Sequence, residues 1–255
     1  MKKAFLFTLL YMLAGTAALW AQDYKVKLEG KTNKIVLEMR GSRVTLEGYN
    51  GNEIVIQGNG YQPPPKQAEG LRVLSGAEDN TRIGLFVTQQ DQAVRVVEAS
   101  RRPTHYVIRL PRQLSVVFKQ NELGGGNFKA TDLTGDIEVR LQGGRAELLN
   151  MSGGVVVSGM GGGVTVRYAA IGKSPSAIST LGGDIDVTMP ASSKTTLQLH
   201  SMGGEVYTDF EVSVRSKGDD LRKVGGPTNG GTVNGGGTNV SLQTLSGNIF
   251  LRKAK

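Results

Sequence analysis

The chain has no cysteine among its 255 residues, which excludes a disulfide framework, a thiolate metal site and a lipid-modified N-terminal cysteine. Histidine occurs only at His105 and His200, so no pair stands at ligand spacing and a zinc centre lacks its usual donors. Aromatic residues make up 6% of the chain and Trp20 is the single tryptophan, so there is little material for the aromatic platforms that glycan adhesion favours. Proline is scarce, with 8 residues, three of them together at 63–65. After the first two dozen positions no apolar run approaches the roughly 20 residues of a membrane-spanning helix, and no segment carries an apolar stripe of helical period.

Residues 1–21 read as a secretory signal peptide: Lys2 and Lys3, an apolar stretch from Ala4 to Ala14, then small residues up to Ala21. Cleavage before Gln22 would remove two lysines and Trp20, lowering the formal charge from +8 to +6. The expectation is an exported protein, periplasmic or at the cell surface, and not a lipoprotein. Residues 22–255 are expected to form one domain, long enough to build a core without covalent staples.

What the chain has in quantity is glycine, 36 residues of it, and the glycines are spaced. A short phrase recurs: a large apolar residue, a spacer, a glycine, one more residue, then two apolar residues two positions apart. It reads L-T-G-D-I-E-V at 133–139, M-S-G-G-V-V-V at 151–157 and M-G-G-G-V-T-V at 160–166. It returns as L-G-G-D-I-D-V at 181–187, M-G-G-E-V-Y-T at 202–208 and L-S-G-N-I-F-L at 245–251. Its glycines at 135, 153, 162, 183, 204 and 247 are 18, 9, 21, 21 and 43 apart, which fits a stacked unit of roughly 18–22 residues with one half-unit and one doubled interval. A lone copy cannot bury its apolar face, so stacking is required. Strand alternation turns Ile137, Val139, Val155, Val157, Val164, Val166, Ile185, Val187, Ile249 and Leu251 inward. It turns Asp136, Glu138, Thr165, Asp184, Asp186 and Glu205 to water.

The pattern predicts an all-β chain, a β-solenoid with Gly-rich turns. Residues 22–58 hold N-terminal strands, 59–80 a loop excursion around the proline triplet, and 81–255 the stacked units, with a Gly-rich loop at 217–237. A longer repeat overlies the short one: residues 107–125 align without a gap on 186–204, a constant 79 apart, with Pro111 on Pro190, Phe118 on Leu197, Leu123 on Met202 and Gly125 on Gly204.

The opening V-T-L-E-G-Y-N-G-N-E-I-V-I-Q-G, the V-I-R-L-P followed by L-S-V-V-F, the serial G-D-I-x-V phrases and the closing G-G-G-T-N-V-S-L-Q-T-L-S-G-N-I-F-L resemble a bacterial envelope β-strand-repeat family of unknown function. It carries an adhesin label and is related to the head GIN domain. The likeness covers nearly all of the chain after residue 21. It implies a right-handed, single-stranded β-helix outside the cytoplasm, with no catalytic residues to carry over.

Candidate chemistry is sparse. Arg95, Arg101, Arg102, Arg109, Arg112 and Lys119 fall within 25 residues against Glu98 alone, a cluster that could hold an anionic polymer or headgroup. The plainer explanation is a charged outer face that discourages edge pairing. Asp184 with Asp186, and Asp136 with Glu138, could bind calcium or act as an acid and base on a glycan, but tandem G-G-x-G-x-D units are absent and solvated acids explain them as well. No catalytic residue, cofactor or metal is expected, and nucleic acid is a poor partner for an exported chain. The reading is a non-catalytic envelope scaffold, adhesin-like, contacting a protein or surface polymer through its faces and loops. Its rivals are a polysaccharide-active enzyme on a β-helix and a sensor or regulator of envelope stress.

Overall fold

The structure, a computed structural model, describes residues 23–30, 32–71, 76–213 and 228–255. The expected signal peptide lies outside these residues, as does the first part of the 217–237 segment. Twenty strands follow one another: β1 (Asp23–Lys27), β2 (Lys34–Met39), β3 (Arg43–Tyr49), β4 (Glu53–Asn59), β5 (Leu85–Gln90), β6 (Ala93–Glu98), β7 (His105–Pro111), β8 (Ser115–Gln120), β9 (Phe128–Thr131) and β10 (Ile137–Leu141). Then come β11 (Ala146–Met151), β12 (Val155–Gly159), β13 (Val164–Tyr168), β14 (Ser176–Gly182), β15 (Ile185–Met189), β16 (Thr195–Ser201), β17 (Val206–Thr208), β18 (Thr228–Val233), β19 (Thr238–Ser246) and β20 (Ile249–Lys253). Among the described residues the only helical turn is a 3-10 turn at Lys66–Ala68, inside the proline excursion.

Among the described residues the fold is all-β, with two ten-stranded sheets and no closed barrel. Sheet I runs β1-β4-β7-β3-β9-β11-β13-β15-β20-β17, and sheet II runs β5-β6-β2-β8-β10-β12-β14-β19-β16-β18. From β7 to β17 the chain alternates between the sheets, and neighbouring strands pair in parallel. A rung is therefore one strand of sheet II followed by one of sheet I. Among the described residues antiparallel strand pairs occur only at the ends: β1 on β4, β4 on β7, β5 on β6, and β18 on β16.

All ten residues expected to face inward are buried, in a single core with Leu37, Leu46, Tyr106, Phe118, Phe128 and Leu242. Each fully buried aliphatic side chain contributes about 1.5–3 kcal/mol before conformational entropy is set against it.

Two rungs are out of sequence order. The rung β2–β3 lies between β6–β7 and β8–β9, and the rung β19–β20 lies between β14–β15 and β16–β17. The links that step over them, from β7 to β8 and from β15 to β16, lie in the two copies of the 19-residue repeat, 79 positions apart. Each step spans two strand spacings, about 10 Å. Each uses the same turn, with the Leu114 N–H donating to Pro111 O at 3.1 Å and the Ser193 N–H to Pro190 O at 3.0 Å.

The segment expected as a loop at 217–237 differs: Thr228–Val233 is strand β18, paired from Thr195↔Val233 to His200↔Thr228. The edge of β16 offers unpaired backbone groups, and a returning strand satisfies them. Glycine also works differently from a simple turn residue. Gly247 has an ordinary φ, but a Cβ there would lie 2.0 Å from Gly183 O, so the backbones of successive rungs touch where a side chain cannot fit.

Candidate interaction surfaces

The six basic residues of the 95–119 segment do not form one patch. Arg95 and Lys119 stand on the outer face of sheet II, where Arg95 pairs with Glu38 at 2.7 Å. Arg109 stands on the outer face of sheet I, its guanidinium 5.0 Å from the centre of the Tyr49 ring. Arg101 and Arg102 are exposed at the corner leading from sheet II to sheet I, where Arg102 donates to Gln62 Oε1. Arg112 lies in the opposite corner, its Nε buried without a partner. The segment crosses from one sheet to the other and back, so closeness in sequence scatters these charges around the molecule.

The carboxylates singled out in the sequence act as stitches between rungs. Asp136 Oδ1 accepts from the Gly154 N–H at 2.7 Å, Asp184 Oδ1 from the Asn248 N–H at 2.8 Å, and Asn248 Oδ1 from the Glu205 N–H at 2.9 Å. In each case the residue after the phrase glycine caps its counterpart one rung on. Glu138 pairs with Arg140 at 2.6 Å and Asp186 with Arg252 at 3.1 Å. Among the described residues no three His, Asp or Glu side chains gather closely enough to hold a metal ion.

A shallow groove of about 850 Å³ runs over the outer face of sheet I. Register places Thr45, Lys129, Glu147, Thr165, Asp186, Phe250 and Tyr207 in one row across seven strands. Lys129 and Glu147 are bridged at 3.2 Å. At the end of the row Tyr207 and Phe250 stack, centroids 5.3 Å apart and nearly parallel, with the Arg252 guanidinium 5.1 Å from the Phe250 centre. Phe250 and Tyr207 hold the same outward position of their phrases, at 245–251 and 202–208, and Tyr207 is 52% exposed. His105 sits at the other end, Nε2 3.0 Å from Thr45 Oγ1, and burial followed by the nearby Arg43 charge lowers its pKa.

The phrases sit at two different corners. Leu133 and Met151, which lead into sheet II, are buried. Met160, Leu181, Leu245 and Met202, which lead into sheet I, are 49%, 51%, 46% and 65% exposed. These four stack on consecutive rungs as an uncovered apolar ladder beside a groove of about 470 Å³.

Two polar knots secure the end of the stack near β5 and β6. Asp79 accepts from the N–H groups of Thr81, Arg82 and Gly84 and from the hydroxyls of Thr81 and Tyr61, all at 2.9 Å. Burial works against its ionisation, but these donors outweigh it and hold the carboxyl below its ordinary pKa. Burial and the Asp79 carboxylate push Tyr61 up to about 12. The second knot is the buried Glu98, which accepts from the Arg40 N–H at 2.6 Å and from the Ser42 hydroxyl. No helix among the described residues is long and apolar enough to cross a membrane.

Comparison with known protein families and with curated proteins finds no match. Among solved structures the chain is similar to a candidate cell adhesion protein from Clostridium sporogenes, at 12% identity and TM-score 0.46, covering 91% of this chain and 99% of that one. It is similar also to a candidate adhesin from Bacteroides fragilis, at 11% identity and TM-score 0.29, covering 91% and 96%. A third, from Parabacteroides merdae, matches at 10% identity and TM-score 0.28, covering 91% and 95%.

Proposed function

We propose that the chain is an exported, non-catalytic envelope scaffold, adhesin-like, that binds a protein or surface polymer across the outer face of sheet I. In this reading the rungs follow a right-handed, single-stranded β-helix, the hand favoured for parallel strands joined by a crossover. The observation that carries it is the row from Thr45 to Tyr207, whose charged and aromatic side chains are spread across seven strands along and beside the groove. Such a layout suits a long ligand touched at many points. Its carboxylates are tied up with Lys129, Arg252 and backbone N–H groups, which leaves them ill placed for acid–base work.

The test immobilises the purified protein and measures retention of bacterial cells and of envelope polymers. Combining Lys129→Glu with Phe250→Ala is expected to lower retention roughly tenfold, as loss of a binding hot spot does. Release of cleavage products from a glycan panel, or retention indifferent to both changes, would overturn the proposal.

A further inference from the structure

We propose that the end of sheet II edged by the apolar ladder is the surface through which two copies of this chain pair face to face. Five adjacent strands, β12, β14, β19, β16 and β18, contain no Asp, Glu, Lys or Arg. Elsewhere in the same sheet β10, β8, β2 and β6 carry Glu138, Arg140, Lys119, Lys34, Glu38 and Arg95. On sheet I the matching rungs carry Arg167, Asp186 and Arg252. The loss of charge is therefore local to one face.

Register lays that face out in rows. Val156, Ala177, Ser241 and Gln198 form one, and Ser158, Ser179, Gln243 and His200 the next. Met160, Leu181, Leu245 and Met202 close the edge. An uncovered apolar ladder beside a flat uncharged sheet is what a partner would cover.

Charge identifies the partner, and area sets the strength. The chain carries +8, or +6 without Lys2 and Lys3, so two copies repel on balance as they approach. The uncharged end of sheet II is where like copies can meet without that opposition. It bears no aromatic side chain in its five strands, which removes the stacking platform a sugar would use. Five strands at about 4.8 Å spacing and about 20 Å length give about 480 Å² in projection. A standard interface buries about 800 Å² per partner, so this one falls at the low end and is expected to be weak, with a micromolar dissociation constant. A two-fold arrangement sets the same surface against itself. The groove of sheet I lies on the opposite side and stays open, so this pairing stands or falls apart from the function proposed above.

Sedimentation of the purified protein between about 1 and 100 μM tests it. The expected result is a shift from monomer to dimer with concentration. Ser241→Lys in the middle of the face is expected to raise the dissociation constant at least roughly tenfold through like-charge contact, whereas Thr165→Lys on sheet I leaves it unchanged. If the first variant unfolds, Leu245→Gln at the exposed corner replaces it, with weakening again expected. A monomer throughout, or a dimer unmoved by the sheet II changes, would overturn the proposal. So would a monomer that binds a neutral glycan through this face.

Discussion

The crossing at Pro111 and the crossing at Pro190 make the same two-rung step with the same turn, yet their interiors differ. Where the first places Leu114, Val116 and Phe118, the second has Ser193, Thr195 and Leu197, each 79 residues on, and all six are buried. Phe118 packs on Phe128 with centroids 4.3 Å apart. The Ser193 and Thr195 hydroxyls are buried without hydrogen-bond partners, and the Arg112 Nε in the first crossing shares that condition. All three of these atoms lie at or beside a crossing, where the chain must span a gap and the regular ladder of partners is interrupted. The pair teaches that a backbone solution can be kept while its packing is rewritten, and that the second version carries more unsatisfied polarity.

The largest effect should come from the first crossing. Phe118→Ala removes a buried ring from an aromatic pair and is expected to cost about 3–5 kcal/mol in chemical denaturation, and Leu197→Ala about 2–5 kcal/mol. A greater loss at Leu197 would reverse the comparison. Next is the rung enclosed by the second crossing: Gly247→Ala drives a Cβ towards Gly183 O and is expected to cost about 1–3 kcal/mol by the same measurement. Thr195→Val should then act with the opposite sign. By making the second crossing resemble the first it removes an orphaned hydroxyl and is expected to raise stability by about 1 kcal/mol, with Val116→Thr lowering it.

The smallest effect depends on pH and is confined to the other end of the stack. Asp79 has a folded pKa below its unfolded value, so the stability it contributes is present above the ordinary carboxylate pKa and is lost as pH falls through the folded pKa. The protection of the amides over residues 79–84, taken relative to their intrinsic exchange at each pH, should therefore fall as pH drops below the ordinary carboxylate pKa, while that of the second crossing is unaffected. Asp79→Asn should abolish the dependence.

Much of the fold could be read because strand alternation is local. Ile137, Val139, Ile185 and Val187 declare their buried face within five residues, and Pro111 and Pro190 announce matching turns. Rung order could not be read, since nothing in β2 or β19 states which open edge will accept it. The dispersal of the basic segment could not be read, because sequence distance is not distance around a stack that switches sheets every few residues. The ladder was half visible: Met160, Leu181, Met202 and Leu245 look like Leu133 and Met151 in the phrase, and only the corner each occupies separates exposed from buried. The uncharged end of sheet II was present in the composition of five strands, but they became one surface only when β19 inserted between β14 and β16.

The enclosed rungs bear on how the molecule is made. A simple stack can grow from one end, each addition resting on the last. Here β19–β20 lies between strands that precede it in the sequence, and β2–β3 lies between strands that follow it. The last rung in the sequence thus takes an enclosed place between earlier ones, and a chain cut short before residue 238 would lack the strands on which both β14–β15 and β16–β17 pair.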